Sequence, residues 1–272
     1  DVEEPVILNV KLKDGSFQAL DMARVRTIIN DACNGLDSVN SERVYNDTLR
    51  NLFDGVPASD VSPTVVLSAR GLIDSEPQYS QVAARLLLDE LRTETLTFID
   101  DGSPTATYIE MADRYPQYFH QYVKKAAELE LLDTELLKFD FKKLGDALKP
   151  ERDHLFTYLG LQTLYDRYFI HHEECRFELP QAFFMRVSMG LAINEVHREE
   201  RAIEFYNLLS SFDFMSSTPT LFNSGTLRPQ LSSCYLTTIP DDLDGIFSAI
   251  KDDALLSSFF LFSPSFSLFL LL

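Results

Sequence analysis

The chain opens with a short alternation of apolar and polar residues and then changes to helical periodicity. Residues 6–20 alternate around Lys13-Asp14-Gly15-Ser16, which predicts a strand, a tight turn and a second strand. Asp21 can cap the helix that follows, and Gly35 can end it. Three more helices are predicted from apolar stripes at about 41–53, 59–72 and 78–96. A β-hairpin and four helices therefore predict a compact α+β domain over residues 1–100.

A cluster of turn-forming residues, Asp100-Asp101-Gly102-Ser103-Pro104, has no apolar periodicity and predicts a domain boundary. Between residues 107 and 213 the apolar spacing is almost wholly helical. Pro180 stands where the first turn of a helix tolerates proline. Residues 101–213 are therefore predicted to form a helical domain.

The pattern changes again after residue 213. Ser217–Thr220 and Asn223–Gly225 have the composition of turns, residues 230–239 read as one strand, and a helix is predicted over 243–257. A strand, a loop and a helix in this order begin an α/β layer. One such unit cannot bury its own faces, so residues 214–257 are predicted to be the start of a larger domain.

The two ends of the chain are unusual. Residues 257–272 read SSFFLFSPSFSLFLLL, a run that is short for a membrane span and is broken by Pro264. We interpret residues 258–272 as a tail that is not native to the fold; a terminal membrane anchor is the alternative. Because the first residue is Asp1 and no initiator methionine precedes it, we expect the chain to begin inside a longer protein.

Composition narrows the class of function. The chain has 272 residues, of which 45% are hydrophobic, and a formal net charge of −18. These values are typical of a globular protein, and the negative charge argues against non-specific binding of nucleic acid. No two of the ten glycines are close enough for a glycine-rich phosphate loop. We therefore expect neither nucleic acid nor a membrane as a partner.

The chain has three cysteines, Cys33, Cys175 and Cys234, and they are widely spaced. This odd number and wide spacing favour a reducing compartment such as the cytoplasm over a disulfide framework. The run His171-His172-Glu173-Glu174-Cys175 contains metal-ligating residue types, but no second cluster lies nearby in sequence. We predict a solvated turn with a buried cysteine there, and no metal site.

Cys234 stands between serines and the end of the predicted strand. A lone cysteine in a strand is more often a small buried side chain than a reactive thiol. However, residues 217–246, STPTLFNSGTLRPQLSSCYLTTIPDDLDGI, closely resemble, without gaps, the catalytic (alpha) subunit of class I ribonucleotide reductase. Residues 152–171 and 178–192 resemble the helical region of the same subunit.

The resemblance implies a fold and a set of site residues. The fold is mainly α with α+β: an ATP-cone, a helical domain, and the first strand and helix of a ten-stranded α/β barrel. Cys234 matches a redox-active cysteine whose thiol, with that of a second cysteine, supplies the electrons for ribose reduction. Thr218 and Ser233 match substrate-binding positions, and Asp241 matches the deoxynucleotide effector site.

The resemblance also implies partners. The substrate is a ribonucleoside diphosphate, thioredoxin or glutaredoxin is the reductant, and the full subunit is a homodimer. This chain binds no cofactor itself, because a metal-containing small (beta) subunit supplies the radical. The other cysteines of the family lie beyond the equivalent of position 258, so we expect this chain to be incomplete and inactive alone. The alternative is a regulatory or assembly module that keeps the cone and helical surfaces without catalysis.

The first domain resembles the ATP-cone, the module that binds ATP and dATP as effectors. Lys13, Asp21 and Arg24 keep chemistry suited to that ligand. Four positions depart from the pattern of the family: Leu12, Gln18, Ala58 and Thr93. Each lost contact to phosphate, base or ribose costs about 1.5–3 kcal/mol, so we expect weak nucleotide binding or none.

Overall fold

The computed structural model describes residues 8–99, 105–232, 234 and 236–261, and their side chains up to residue 256. Strand β1 (Asn9–Lys11) pairs antiparallel with β2 (Phe17–Ala19) and parallel with β3 (Val56–Pro57). Gly15 has a φ of 85° in the turn between β1 and β2, a conformation that glycine adopts without strain. The predicted hairpin is confirmed, and β3 adds a third strand.

Four helices follow this sheet as the apolar stripes predict. The backbone N–H of Arg24 donates to the Asp21 carboxylate at 2.9 Å, which caps the first helix, and the chain turns away from that helix at Gly35, with a φ of 73°. The helices are α1 (Met22–Cys33), α2 (Ser41–Asn51), α3 (Ala58–Arg70) and α4 (Tyr79–Ile99).

The second region is almost wholly helical, as predicted. Its helices are α5 (Tyr108–Glu128), α6 (Phe141–Ala147), α7 (Tyr158–Arg167), α8 (Pro180–Ala192) and α9 (Arg198–Ser210), with 3₁₀ helices at Thr134–Lys138 and Pro150–Leu155. Pro180 occupies the first turn of α8, as expected from its missing N–H. Buried apolar residues of all five helices belong to one core cluster.

The structure corrects the prediction for residues 171–175. They do not form a simple solvated turn, because β4 (His171–His172) pairs antiparallel with β5 (Cys175–Arg176). Glu173 makes the turn with a φ of 55°, and Cys175 is half-buried where a buried side chain was expected. The pairing gives this segment backbone hydrogen bonds that its sequence pattern does not indicate.

The apolar core is continuous across the two regions. Helix α4 packs against α1 and α3, and it also packs against α7 and β5. Ile29 and Leu91 therefore belong to the same buried cluster as Phe119 and Phe183. The predicted boundary at 100–104 lies outside the described residues, and the division of the chain there stays a prediction.

The last region differs from the prediction in two places. Ser217–Thr220 does not form an open turn, because α10 (Thr218–Asn223) begins there with Pro219 in its first turn. The described residues of 230–239 form no strand, and Leu236 is fully exposed. A strand needs a partner backbone, and the described chain offers none here, so the barrel stays a prediction.

A final helix, α11 (Leu243–Leu261), begins where the sequence predicts and runs four residues further. The rest of the predicted tail, 262–272, lies outside the described residues. Among the helices of the described chain, none is both long and apolar enough to cross a membrane.

Candidate functional site

A buried ion pair lies beneath the segment that carries the predicted substrate-binding residues. The side chains of Glu178 and Arg186 are both fully buried. The guanidinium of Arg186 donates from Nε to Oε1 of Glu178 at 2.9 Å and from Nη2 to Oε2 at 3.1 Å. Glu178 also accepts from the hydroxyl of Tyr122 and from the backbone N–H of Ile170. Buried charges of this kind are stable only when paired and hydrogen-bonded, as these are.

Arg186 also holds the end of α10. Its Nη1 donates to the carbonyl oxygens of Leu221 and Ser224, both at 2.9 Å. The carbonyls at the C-terminal end of a helix lack partners within the helix, so a buried guanidinium is a suitable donor for them. The hydroxyl of Ser224 donates in turn to the carbonyl of Val187 at 2.6 Å. Helix α8 thereby fixes the position of α10.

Thr218 begins this short helix. Its side chain is exposed, and its hydroxyl lies 3.0 Å from the hydroxyl of Tyr168. The ring of Tyr168 stacks on Phe222, with ring centroids 4.6 Å apart. The Thr218 hydroxyl is therefore held at the surface by a side chain that is itself packed, which suits a group that contacts a ligand.

Two hydrogen bonds connect α10 to the chain that leads to Cys234. Nδ2 of Asn223 donates to the carbonyl of Gln230 at 2.7 Å, and the Thr220 hydroxyl donates to the carbonyl of Leu231 at 3.2 Å. Ser233 lies outside the described residues. Cys234 is exposed, which contradicts its interpretation as a small buried side chain.

Asp241 lies in a separate, tight turn. Asp241 is exposed at the start of α11, where the carboxylate of its neighbour Asp242 accepts from the backbone N–H of Gly245 at 2.8 Å. A Cβ at Gly245 would lie 2.7 Å from the Pro240 ring, so this turn requires glycine. No hydrogen bond of the described residues joins this turn to α10, and the effector role of Asp241 stays a prediction.

The other two thiols differ from Cys234. Burial raises the pKa of Cys33 to about 11, and burial together with the nearby Glu94 raises that of Cys175 to about 11. Both thiols are therefore protonated and poorly nucleophilic near neutral pH. Within the described part of the chain, no group of three or more histidine, cysteine, aspartate and glutamate residues is arranged to hold a metal ion.

The predicted cone residues occupy two places. Lys13 is exposed at the turn between β1 and β2. Asp21 and Arg24 instead line a cavity of about 340 Å³ between α1, α4 and the start of α5. Of the departing positions, Thr93 donates its hydroxyl to the carbonyl of Asp89 at 3.0 Å, within its own helix. The three predicted cone residues are thus not gathered around one pocket.

Comparison with known proteins supports the resemblance. A family model described as the all-alpha domain of ribonucleotide reductase matches residues 154–229. The chain is 42% identical over 92% of its length to the ribonucleoside-diphosphate reductase subunit alpha of Chlamydia trachomatis serovar D, of which it covers 23%. The chain belongs to the ribonucleotide reductase large-subunit family.

Two further large-subunit relatives give the same result. The subunit alpha of Helicobacter pylori is 34% identical over 93% of this chain, which covers 31% of that protein. The large subunit of Danio rerio is 31% identical over 92% of this chain, which covers 30% of that protein. The chain therefore spans between 23% and 31% of the length of these three ribonucleotide reductase subunits.

The region matched by the all-alpha family model contains the buried pair Glu178 and Arg186, to which the sequence analysis assigned no role. Glu178 and Arg186 are the charged residues in the run ELPQAFFMRVSMGLA, and a charge among so many apolar residues is the signal that could have identified them. The matched region also contains Thr218, and it ends at residue 229, ahead of Cys234. The roles of Thr218, Ser233, Cys234 and Asp241 are therefore proposals.

Proposed function

We propose that this chain is the N-terminal part of a ribonucleoside-diphosphate reductase large subunit, which converts ribonucleoside diphosphates to deoxyribonucleoside diphosphates for DNA synthesis. The observation that carries the proposal is the exposed thiol of Cys234, on a segment attached to a helix that the Glu178–Arg186 pair holds in place. The identity of 42% over 92% of the chain to a subunit of that name supports it.

The chemistry requires two thiols. In the proposed reaction the 2′-hydroxyl of the ribose leaves as water and a hydrogen takes its place, while two thiols are oxidised to one disulfide. Cys234 supplies one thiol. Cys33 and Cys175 do not supply the second, because they lie at the end of α1 and in β5 and match none of the family's other cysteines. The second thiol and the radical-forming cysteine therefore belong to other parts of the complete subunit.

The binding roles follow the same proposal. The exposed hydroxyl of Thr218 contacts the substrate's phosphate, Ser233 contacts the ribose, and Asp241 contacts a deoxynucleoside triphosphate effector. Lys13, Asp21 and Arg24 form the remnant of an ATP and dATP site. Their placement at two separate positions supports weak binding at this cone.

The proposed partners follow from the reaction. A metal-containing small subunit generates the radical, thioredoxin or glutaredoxin reduces the disulfide after each turnover, and the full subunit forms a homodimer. This chain itself binds no cofactor in the proposal. The reduced state of the thiols suits the cytoplasm.

The test uses the complete subunit with its small subunit, thioredoxin and radiolabelled cytidine diphosphate. Cys234→Ser is expected to abolish multiple turnover, because serine cannot form the disulfide, while Cys175→Ser serves as the matched control and keeps activity. Chromatography of the labelled product measures both. Full turnover by Cys234→Ser would remove this residue from the mechanism, whereas no labelled product from the unmodified complete subunit would favour the regulatory or assembly alternative.

A further inference from the structure

The side chain of Thr218 has one hydrogen-bond partner among the residues that the structure describes. Its Oγ1 lies 3.0 Å from the phenolic oxygen of Tyr168, and either of the two atoms can be the donor. Thr218 is exposed, whereas Tyr168 is half-buried at the C-terminal end of α7. The sequence analysis assigned no role to Tyr168. The contact therefore adds a side chain from the helical region to the proposed substrate-binding segment.

The packing of its neighbours fixes the position of the Tyr168 ring. The ring stacks on Phe222 of α10, with an interplanar angle of 21°. The backbone N–H groups of Tyr168 and Phe169 both donate to the carbonyl of Leu164, at 2.9 Å and 3.0 Å. The Phe169 side chain is buried and meets the ring of Phe183 edge to face. The phenolic oxygen therefore has a defined place beside α10.

The buried pair of Glu178 and Arg186 positions both segments that meet in this contact. Oε2 of Glu178 accepts from the backbone N–H of Ile170, two residues after Tyr168, at 2.9 Å. Arg186 holds the carbonyl oxygens at the C-terminal end of α10, the helix that begins with Thr218. Because one buried pair positions both segments, the two hydroxyl groups meet in a pre-organised geometry.

The charge of the proposed ligand decides the direction of this hydrogen bond. The phosphate groups of a ribonucleoside diphosphate are ionised near neutral pH, and their oxygens accept hydrogen bonds. A threonine hydroxyl has a single proton to donate, and it accepts through its lone pairs. When Thr218 donates its proton to a phosphate oxygen, the hydrogen bond to Tyr168 persists only if the tyrosine hydroxyl is the donor.

We propose that Tyr168 is a positioning residue for the substrate phosphate: its hydroxyl donates to Oγ1 of Thr218 and leaves the threonine proton directed at the ligand. The inference rests on the proposed function, in which Thr218 contacts the phosphate. A hydroxyl that accepts a hydrogen bond is a stronger donor, because chains of hydrogen bonds polarise one another. Tyr168 thereby raises the affinity for the diphosphate through Thr218.

The expected kinetic signature is a change in KM rather than in kcat. The phosphate groups of the substrate take no part in the proposed exchange of the 2′-hydroxyl for hydrogen, so their contacts are the same in the ground state and the transition state. Loss of such uniform binding raises KM and leaves kcat unchanged. A purely structural role of Tyr168 would instead lower the free energy of unfolding without this separation of KM from kcat.

The test measures kcat and KM for radiolabelled cytidine diphosphate with the complete subunit, its small subunit and thioredoxin. Tyr168→Phe keeps the ring and removes its hydroxyl, and KM is expected to rise about fivefold, the effect of one hydrogen bond, while kcat changes by less than about twofold. Tyr165→Phe is the matched control. It removes another half-buried hydroxyl of α7, one that donates to Glu94 at 3.0 Å, and is expected to leave both constants unchanged. An unchanged KM in Tyr168→Phe, or an equal rise in both variants, would overturn the positioning role.

A double variant separates action through Thr218 from direct contact with the substrate. Thr218→Val removes the threonine hydroxyl with little change in shape and is expected to raise KM by itself. Adding Tyr168→Phe is expected to produce no further rise, because the two residues act as one unit. A further fivefold rise would refute the positioning role. Product formation by the unmodified subunit with a KM insensitive to Tyr168→Phe would refute the role of Tyr168 alone, whereas no product from the unmodified subunit would refute the proposed function and this role together.

Discussion

Gly190 of helix α8 lies directly against Gly225, so that a Cβ placed at position 190 would be 2.1 Å from the backbone nitrogen of Gly225. It would also lie 2.3 Å from the hydroxyl oxygen of Ser224. Gly225 itself has a φ of 80°, a conformation that favours glycine. The two glycines thus allow α8 and the end of α10 to approach as closely as backbones can.

Gly190→Ala is expected to destabilise the chain by about 3 kcal/mol, the upper end for overpacking, because backbone rather than a flexible side chain must move. Denaturant unfolding followed by circular dichroism measures the free energy of unfolding. Gly160→Ala is the matched control. Its Cβ would meet the nearest atom, Oγ1 of Thr157, at 3.4 Å, so that change is expected to stabilise α7 by about 0.5–1 kcal/mol. Similar free energies for the two variants would contradict the close approach.

Arg186→Met is expected to cost about 3–5 kcal/mol, because it leaves Glu178 charged and buried without its partner. Combining it with Glu178→Gln should recover part of that loss, since the uncompensated charge is then removed. Arg201→Met, in an exposed pair with Glu204, should change the free energy of unfolding by less than about 1 kcal/mol. A double variant as unstable as the sum of its parts would show that the pair is not coupled.

Burial raises the pKa of Asp153 to about 6, although Tyr115 and Gln181 donate hydrogen bonds to its carboxylate, both at 2.8 Å. The folded chain therefore binds this proton more tightly than the unfolded chain. Its stabilising contribution is complete below about pH 4, the unfolded pKa, and is lost as the pH rises through 6.

The expected loss between pH 4 and pH 6 is on the order of 2 kcal/mol of unfolding free energy, and Asp153→Asn should remove it. Urea titrations at several pH values measure this slope. Asp146→Asn, at an exposed position, provides the comparison and should leave the slope as it is. If the Asp153→Asn chain has the same slope of unfolding free energy against pH as the unmodified chain, the pH dependence comes from other groups.

The rate of thiol labelling should distinguish Cys234 from Cys33 and Cys175. At pH 8 a disulfide reagent is expected to modify Cys234 rapidly and Cys33 and Cys175 slowly, because the latter two have pKa values raised to about 11. All three should react in denaturant. Cys234→Ser should abolish the fast phase, and a fast phase that persists in this variant would mean that a buried thiol is accessible.

We expect the base and ribose of a nucleotide to contribute little binding free energy at the predicted cone. Because Leu12, Gln18, Ala58 and Thr93 remove contacts, dATP is expected to raise the melting temperature no more than tripolyphosphate at the same concentration. A ligand at 100 times its Kd adds about 2.7 kcal/mol, which is measurable by thermal unfolding. A clearly larger shift with dATP would show that the base and ribose are bound after all.

The predictions from sequence succeed where the determining contacts are local. The β1–β2 hairpin and the cap at Asp21 depend on residues a few positions apart, and both form as expected. Residues 230–239 alternate like a strand, but pairing depends on distant backbone that a pattern does not contain. The carbonyls of Leu221 and Ser224 that accept from Arg186 are likewise 35 and 38 residues away, so the sequence pattern does not indicate these contacts.

Helix α4 packs against α1 and α3 on the N-terminal side and against α7 and β5 of the helical region, so it connects the two parts of the structure. Arg92 meets the cavity on one turn, while two residues later the Glu94 carboxylate accepts from the backbone N–H of Arg176 at 2.6 Å and from the hydroxyl of Tyr165 at 3.0 Å. A small rotation of α4 about its axis would therefore move the β4–β5 hairpin along with the cavity. The cavity and the β4–β5 hairpin are thus connected directly through the packed side chains of one helix.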